Sequence, residues 1–234
     1  MEHGADVNVK STWQFSWQLK LEDQSALHWA AQENKWNVVQ WLVEHGKANV
    51  EATDKNGQTV LHWAAQENKW DVVQWLVEHG KANVEATDNN GRTVLHWAAQ
   101  ENKWDVVQWL VEHGKANVEA TDNNGKTVLY WAAQENKWDV VQWLVEHGKA
   151  NVEATDKNGQ TVLHWAAQEN KWDVVQWLVE HGKATVEATD NFCWTVLHWA
   201  AQNNKWKVVQ WLVEPVLYSI ISKYNITIIY YIIV

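Results

Sequence analysis

Cysteine, proline and basic side chains are scarce in this sequence, and each shortage narrows what the protein can be. One cysteine, Cys193, stands among 234 residues, so no internal disulfide can form, and a reducing compartment suits the chain. The one proline, Pro215, follows the last residue of a repeating pattern. Lysine and arginine number 19 against 29 acidic residues, giving a net charge of −10. This balance argues against a nucleic-acid interface, which needs a basic face.

The sequence also lacks the short motifs of catalysis and targeting. It has no Gly-x-Ser-x-Gly elbow, no phosphate-binding glycine loop and no Cys–His pairing signal, so we expect neither enzymatic activity nor a cofactor. Glu67 and Asp71 are paired carboxylates, but they recur in copies and are typical of solvated helix ends. The first four residues are polar and contain no apolar signal core, so we expect a cytoplasmic protein.

What the sequence does contain is one unit, copied many times. The tetrad Leu-His-Trp-Ala begins at positions 27, 61, 95, 163 and 197, and its variant Leu-Tyr-Trp-Ala begins at position 129. Successive starts are 34 residues apart. A fixed period in this range indicates a stacked repeat array, in which each unit buries its apolar face against its neighbours.

The first half of a unit predicts a tight turn followed by a short helix. The segment 54–57, Asp-Lys-Asn-Gly, has the composition of a hairpin turn that needs positive φ. Thr59 stands where a helix N-cap belongs, with a hydroxyl that can accept a backbone N–H. Leu61, Ala64 and Ala65 then give a short apolar face, and Asn68 tolerates the left-handed conformation that ends a helix.

The second half predicts another helix and an extended return. This helix begins near Asp71, whose charge suits a helix N-terminus. Its apolar stripe consists of Val72, Val73, Leu76 and Val77. His79 and Gly80 form a stop signal, with the glycine expected at the left-handed C′ position. A polar return then leads to the next turn.

These residues resemble the ankyrin repeat, a family marked by Thr-Pro-Leu-His-x-Ala and a period near 33. Here residues 93–98 are Thr-Val-Leu-His-Trp-Ala. Val60 replaces the proline, Asn68 replaces a usual glycine, and one extra residue, most simply Lys81, lengthens the return. The resemblance implies an all-α, ankyrin-type solenoid of stacked helix-turn-helix repeats with hairpin-like loops. We expect six antiparallel helix pairs, with the hairpin fingers projecting to one side.

The periodicity divides the chain into three parts. Residues 1–24 are expected to hold the end of a partial repeat and an irregular segment, residues 25–214 six repeats, and residues 215–234 an apolar tail. We therefore expect the sequence to begin within a repeat. Alternating apolar residues in 9–24 favour an extended segment, which either caps the first repeat or is a disordered or misfitted insert. The tail could pack on the last repeat, remain unstructured and prone to aggregate, or anchor to a membrane, although Lys223 and Asn225 interrupt it.

The sixth unit departs from the others at its turn. Cys193 stands where the other units have glycine, and cysteine tolerates positive φ poorly. We therefore expect a distorted finger in this unit.

Histidine recurs in two columns. One contains His28, His62, His96, His164 and His198, and the other contains His45, His79, His113, His147 and His181. The family resemblance implies that the first column bonds to the cap threonine and to neighbouring backbone. Equivalent residues in stacked repeats lie about 8–10 Å apart, whereas zinc ligands lie about 2.0–2.1 Å from the metal. We therefore expect no metal site.

Tryptophan is unusually abundant, with 21 residues, of which 18 fall in three columns of six. Trp63, Trp70 and Trp75 represent the three columns. They either fill space between neighbouring helices or form an aromatic surface strip that binds a partner. Trp75 lies off the apolar stripe of its helix, so its column is the better candidate for a surface strip.

The resemblance implies protein binding through the hairpin tips and the concave first-helix face. The matching positions are Lys55, Asn56, Gln58, Gln66, Glu67, Asn89, Asn90, Arg92, Gln100, Glu101, Asn123, Asn124, Lys126, Lys157, Asn158 and Gln160. The residues at these positions vary little from one repeat (rung) to the next. Such uniformity suits a repetitive or extended ligand, or a young array without a specialised target. The alternative function is a structural or self-associating element joined through uncapped ends and tryptophan strips.

Overall fold

The computed structural model describes residues 6–10 and 24–214, and the predictions for the N-terminal segment 11–23 and for the tail 215–234 lie outside these residues. The described backbone forms helices and isolated bridges but no strand. The helices are α1 (Ala26–Gln32), α2 (Trp36–Glu44), α3 (Val60–Gln66), α4 (Trp70–Glu78), α5 (Val94–Gln100), α6 (Trp104–Glu112), α7 (Val128–Gln134), α8 (Trp138–Glu146), α9 (Val162–Gln168), α10 (Trp172–Glu180) and α11 (Val196–Gln202). A twelfth helix, α12, runs from residue 206 to the last described residue, 214. The all-α repeat architecture predicted from the sequence is confirmed.

The chain divides into two compact units, Met1–Ala150 and Asn151–Val234. In the first unit, each odd-numbered helix packs on its even-numbered partner, and α1, α3, α5 and α7 pack in series. The second helices α4, α6 and α8 form a parallel series. In the second unit, α9 packs on both α10 and α11. The core consists of the leucines, alanines and valines of the two apolar faces, such as Leu61, Ala65, Val73 and Leu76, which are fully buried.

The turn between paired helices follows the prediction. Asn68 has a φ of 56°, in the left-handed region, and its five described copies have nearly the same value. The Lys69 N–H then bonds the Ala64 carbonyl at 2.8 Å, which closes the turn. The second helix begins at Trp70, one residue before the predicted start at Asp71.

The end of the second helix corrects the sequence prediction. The left-handed residue is Lys81, with a φ of 58°, whereas Gly80 is not in the left-handed region. A Cβ on Gly80 would lie 2.7 Å from the Leu76 carbonyl oxygen, closer than real Cβ atoms come to such an atom. Glycine is therefore required for close backbone approach rather than for positive φ, and the extra residue of the 34-residue period supplies the left-handed bend.

Each described finger is built around an aspartate, which is buried at positions 54, 88, 122 and 190 and half-buried at position 156. The Asp54 Oδ1 atom accepts the N–H groups of Asn56 at 2.8 Å and Gln58 at 2.9 Å, which fixes the turn. Gly57 has a φ of 77°, as the turn signal predicted, and a Cβ there would also meet the Asn89 Oδ1 of the next finger at 2.5 Å. The fingers are thus packed too closely for any larger residue.

The predicted distortion of the sixth finger is wrong. Cys193 takes a φ of 62°, and the Asp190 Oδ1 atom still accepts the N–H groups of Phe192 and Trp194. The bridge between Thr189 and Thr195 is also kept. The turn therefore keeps its shape, and the cysteine backbone carries the strain.

Residues 6–10 have the hydrogen bonds of a return loop. The Asn8 N–H bonds Asp6 Oδ1, and the Asn8 Oδ1 atom accepts the Asn49 N–H at 2.8 Å. Glu51 makes the equivalent bond to Asn83, also at 2.8 Å. This segment therefore lies against the first described repeat as one return lies against the next.

Two tryptophan columns pack against each other between rungs. Trp70 meets Trp109 edge to face with ring centroids 5.9 Å apart, and Trp104 meets Trp143 in the same way. Trp109, from the column represented by Trp75, is 6% exposed, and Trp143 and Trp177 are equally buried. In these three copies the packing interpretation is confirmed, so the alternative, a surface strip formed by the Trp75 column, does not extend through them. The first copy, Trp41, remains 57% exposed.

Candidate partner-binding surface

The base of each finger and the end of the first helix lie on one face. The Arg92 guanidinium bonds Gln100 Oε1 at 3.4 Å, and Gln100 Nε2 contacts Glu101 Oε1 at 3.5 Å. In the next repeat, Lys126 Nζ contacts Gln134 Oε1 at 3.3 Å. These contacts bring the two predicted groups of residues together, as the sequence analysis expected. We call this surface, formed by the finger tips and first-helix ends, the first-helix face.

An aspartate and a tryptophan anchor this face. The Trp97 Nε1–H donates to Asp88 Oδ2 at 3.2 Å, and Arg92 forms an ion pair with the same carboxylate oxygen at 2.9 Å. The guanidinium carbon also lies 3.9 Å from the centroid of the Trp97 ring. Arg92 is therefore held by its own repeat, with its position fixed before any partner binds.

Most of the other predicted site residues face solvent. Asn56, Asn90, Asn124, Asn158, Lys157 and Glu67 are exposed, and Lys55, Gln66, Glu101, Lys126 and Gln160 are half-buried. Gln58 is only 4% exposed, so its side chain does not present itself to a partner. Asn89 and Asn123 are exposed but also brace the fingers, because their amides donate to the carbonyls of Lys55 and Asn89.

The sequence analysis missed the tryptophans of the first helices. Trp63, Trp97 and Trp131 are half-buried and bond the finger aspartates through their indole N–H groups. Each lies nine residues after its aspartate. The constant nine-residue spacing and the single N–H donor of each indole ring are the sequence features that could have predicted this pairing. These rings, rather than the column of Trp75, are the aromatic component of the first-helix face.

The histidine column next to this face is structural, as the resemblance implied. The Thr59 N–H donates to His62 Nδ1 at 3.2 Å, and the Thr59 hydroxyl lies 2.9 Å from the same nitrogen. Because Nδ1 accepts, Nε2 carries the proton and donates to the Arg92 carbonyl, 3.3 Å away on the next finger. His28 and His96 make the same bridge to Gln58 and Lys126.

Burial lowers the pKa of these histidines. Desolvation is the main cause for His28, His62, His96 and His164, and it lowers the pKa of His96 to about 4. Bonds to backbone carbonyls and nearby aspartates act in the opposite direction. The histidines are therefore neutral bridges at physiological pH, and their Nδ1 atoms are occupied.

The described residues contain no group of three or more His, Cys, Asp or Glu side chains placed to hold a metal ion. Within the same residues, no helix combines the length and apolarity needed to cross a bilayer. What the face presents is a series of amides, carboxylates and indole rings on rigid supports. Such groups suit polar and aromatic contacts with another macromolecule.

Comparison with known proteins decides the family. The family model for ankyrin repeats matches three times, over residues 1–88, 80–156 and 148–224. The chain belongs to the ankyrin repeat family. The fold is similar to the crystal structure of the ankyrin repeat domain of Bcl-3, a member of the IkappaB protein family, with a TM-score of 0.68 and 32% sequence identity. That match covers 76% of this chain and 78% of the other.

A search of curated proteins found no significant match. The ankyrin repeat fold generally serves as a protein-interaction module without catalytic activity, and this chain has that fold. Its general role is therefore that of an interaction scaffold.

Proposed function

We propose that this ankyrin repeat protein is a non-catalytic scaffold that binds a protein partner through the first-helix face. The observation that carries the proposal is the fixed group formed by Arg92, Gln100, Glu101 and Trp97 at the base of an exposed asparagine tip. Side chains already held in place lose little conformational entropy on binding. Lys126, Gln134 and Trp131 repeat the arrangement in the next repeat with lysine in place of arginine, so an extended or repetitive partner fits the surface best.

The proposed contact residues follow from exposure and position. They are Lys55, Asn56, Gln66, Glu67, Asn90, Arg92, Gln100, Glu101, Asn124, Lys126, Lys157, Asn158 and Gln160, with Trp63, Trp97 and Trp131 added. Gln58 is left out because it is buried, and Asn89 and Asn123 contribute mainly by bracing the fingers. A cytoplasmic location is consistent with this role and is part of the proposal.

Affinity capture from a cell lysate, with quantitative mass spectrometry, tests the proposal. The face variant carries Asn90→Ala, Gln100→Ala and Asn124→Ala, and the control carries Gln40→Ala, Gln74→Ala and Gln176→Ala on the second helices. Proteins that bind specifically should be retained by wild type and control and lost from the face variant. Equal retention by all three chains, or selective loss from the control, would contradict the proposed surface.

Self-association through the ends is the second candidate function. Trp206 in α12 is 70% exposed, and Val38 and Trp41 in α2 are also exposed. In interior repeats the same tryptophan columns are covered by a neighbouring repeat. Trp41 and Trp206 therefore expose ring surface that is buried between repeats elsewhere in the array. Size-exclusion chromatography with light scattering should then show a mass that rises with concentration. A monomer at all concentrations would remove this candidate.

A further inference from the structure

The second helices form a groove that repeats along the first unit. A surface cavity of about 340 Å³ between α4 and α6 is lined by Trp70, Asp105, Gln108, Trp109, Glu112 and His113. A second cavity of about 390 Å³ between α6 and α8 is lined by the same six positions, 34 residues later. We call these the α4–α6 groove and the α6–α8 groove. They are separate from the finger tips and first-helix ends.

The chemistry of the grooves favours a cation. The half-buried Trp70 ring lies edge to face with Trp109, and His113 stacks on Trp109 with ring centroids 6.0 Å apart. Asp105 and Glu112 are exposed carboxylates at the rim. No lysine or arginine lines either groove. An indole ring beside two carboxylates attracts an ammonium or guanidinium group through both the ring quadrupole and the negative charge.

The protein itself shows a cation in the equivalent place. In the sixth repeat, Lys207 stands where the earlier repeats have Asp105 and Asp139. Its Nζ atom lies 4.6 Å from the centroid of the Trp172 ring, which corresponds to Trp70. Trp172 also meets Trp211 edge to face at 5.5 Å, so the aromatic frame is the same. The tryptophan at this position therefore accepts an ammonium group. Asp105 and Asp139 have no ammonium group of their own, so in their grooves a ligand can supply it.

We propose that the α4–α6 and α6–α8 grooves bind lysine or arginine side chains of an extended, basic polypeptide. Neighbouring rungs of packed helices are about 8–10 Å apart. A polyproline II chain rises about 3.1 Å per residue with three residues per turn, so every third side chain points the same way at a spacing of about 9 Å. The ligand that matches both grooves therefore carries a basic residue at every third position.

Fluorescence anisotropy with labelled peptides tests this proposal on the full chain. The probe is a peptide of repeated Lys-Pro-Ala triplets, and the comparison peptide has the same composition with its lysines clustered. The groove variant carries Asp105→Lys and Asp139→Lys, which copy the natural Lys207. Because the sixth repeat keeps the aromatic frame with this lysine, the variant should fold. We expect it to lose roughly tenfold in affinity for the triplet peptide.

Charge-matched controls distinguish binding in the grooves from non-specific attraction between a basic peptide and an acidic protein. Glu44→Lys with Glu187→Lys makes the same change in net charge at exposed residues outside the two grooves and the first-helix face, and should alter affinity by less than about twofold. Should the lysine variant misfold by circular dichroism, Asp105→Asn with Asp139→Asn removes the charges at constant size and should still weaken binding. If the clustered peptide binds as well as the triplet peptide, or if both lysine variants lose affinity equally, the groove site is refuted. Loss confined to the control would also refute it, while leaving the first-helix face intact.

The reverse substitution should increase affinity for the triplet peptide. Lys207→Asp removes the built-in ammonium group and recreates the acidic rim beside Trp172, so it should tighten binding of the triplet peptide. Lys183→Asp makes the same charge change at an exposed residue after α10 and should tighten it less. Equal effects of the two substitutions would contradict a site at the Trp172 ring.

Discussion

Left-handed backbone at residues other than glycine is the main local strain in this protein. Asparagine takes this conformation between paired helices, lysine takes it after each second helix, and Cys193 takes it at one finger. Asparagine tolerates it through local hydrogen bonding, whereas the other L-residues are strained by about 1–2 kcal/mol. At Gly57 and Gly91, a Cβ would also collide with the next finger's asparagine.

At the residue scale, Cys193→Gly should therefore raise the free energy of unfolding by about 0.5–1 kcal/mol, since glycine has no Cβ penalty but adds chain entropy to the unfolded state. Urea denaturation followed by circular dichroism measures the change. Cys193→Ala keeps the strain and should be nearly neutral, whereas Gly91→Ala should be clearly destabilising. A Cys193→Gly variant no more stable than Cys193→Ala would show that the turn is not strained.

At the scale of the element, one neutral histidine joins each of the first helices α1, α3, α5 and α9 to the next finger. In His96, for example, Nδ1 accepts a hydrogen bond from the Thr93 N–H and Nε2 donates one to the Lys126 carbonyl. The Nδ1 bond needs the neutral ring, since a protonated Nδ1 could not accept the Thr93 N–H, whereas Nε2 donates to the carbonyl in either form. Protonation of the buried ring therefore disrupts the hydrogen bond at the helix N-terminus.

Acid should weaken the array through these histidines. The pKa of His96 is about 4 in the folded chain against 6.5 in the unfolded chain, so above pH 6.5 both states are neutral and stability is constant. Below pH 6.5 the unfolded chain binds the proton first, and stability falls until the pH reaches about 4. For His96 the loss should be about 2 kcal/mol between pH 6.5 and pH 5.

Tyr130 provides the matched control for this prediction, because it occupies the histidine position in the fourth repeat and caps with Thr127 at 3.3 Å. A His96→Tyr variant should keep the fold and lose part of the pH dependence in urea denaturation. If wild type and the variant lose stability equally between pH 6.5 and pH 5, the buried histidine is not the cause.

At the scale of the whole molecule, stability is a sum of contacts between neighbouring repeats. Copies of the same residue differ in how far they are buried along the array. Leu95 is 1% exposed, whereas its copy Leu197 is 36% exposed although the local sequence is identical. The same contrast separates buried Trp109 from exposed Trp41. Position in the array, not residue type, sets what each side chain contributes.

Leu95→Ala should consequently cost about 2–5 kcal/mol, as core truncations do, while Leu197→Ala should cost less than about 1 kcal/mol because little burial is lost. Asn90→Ala, at an exposed tip, should also cost little. Chemical denaturation of the three variants gives the ranking. Equal costs for the two leucine variants would mean that the face around Leu197 is covered in solution.

Much of this architecture was predictable from local chemistry. Thr59, Asn68 and Gly57 perform the roles expected of them, because caps and turns depend on a few adjacent residues. The roles of Gly80 and Cys193 were predicted wrongly, because both depend on how closely another part of the backbone approaches and on how much strain the fold tolerates. For the proposed binding surface, the first-helix residues were predicted from the resemblance, whereas the burial of Gln58 and the half-buried position of Trp63 could not be read from the repeat.

The sequence by itself determined the repeat period, the two helices of each repeat and the family, because these follow from periodicity and short-range signals. Only the tertiary structure decided which tryptophans are covered, since that depends on the neighbouring rung and not on the residue's own helix. It also revealed the acidic aromatic grooves, whose walls come from positions 35 or more residues apart. Copies with one sequence thus acquire different surfaces because each has different neighbours.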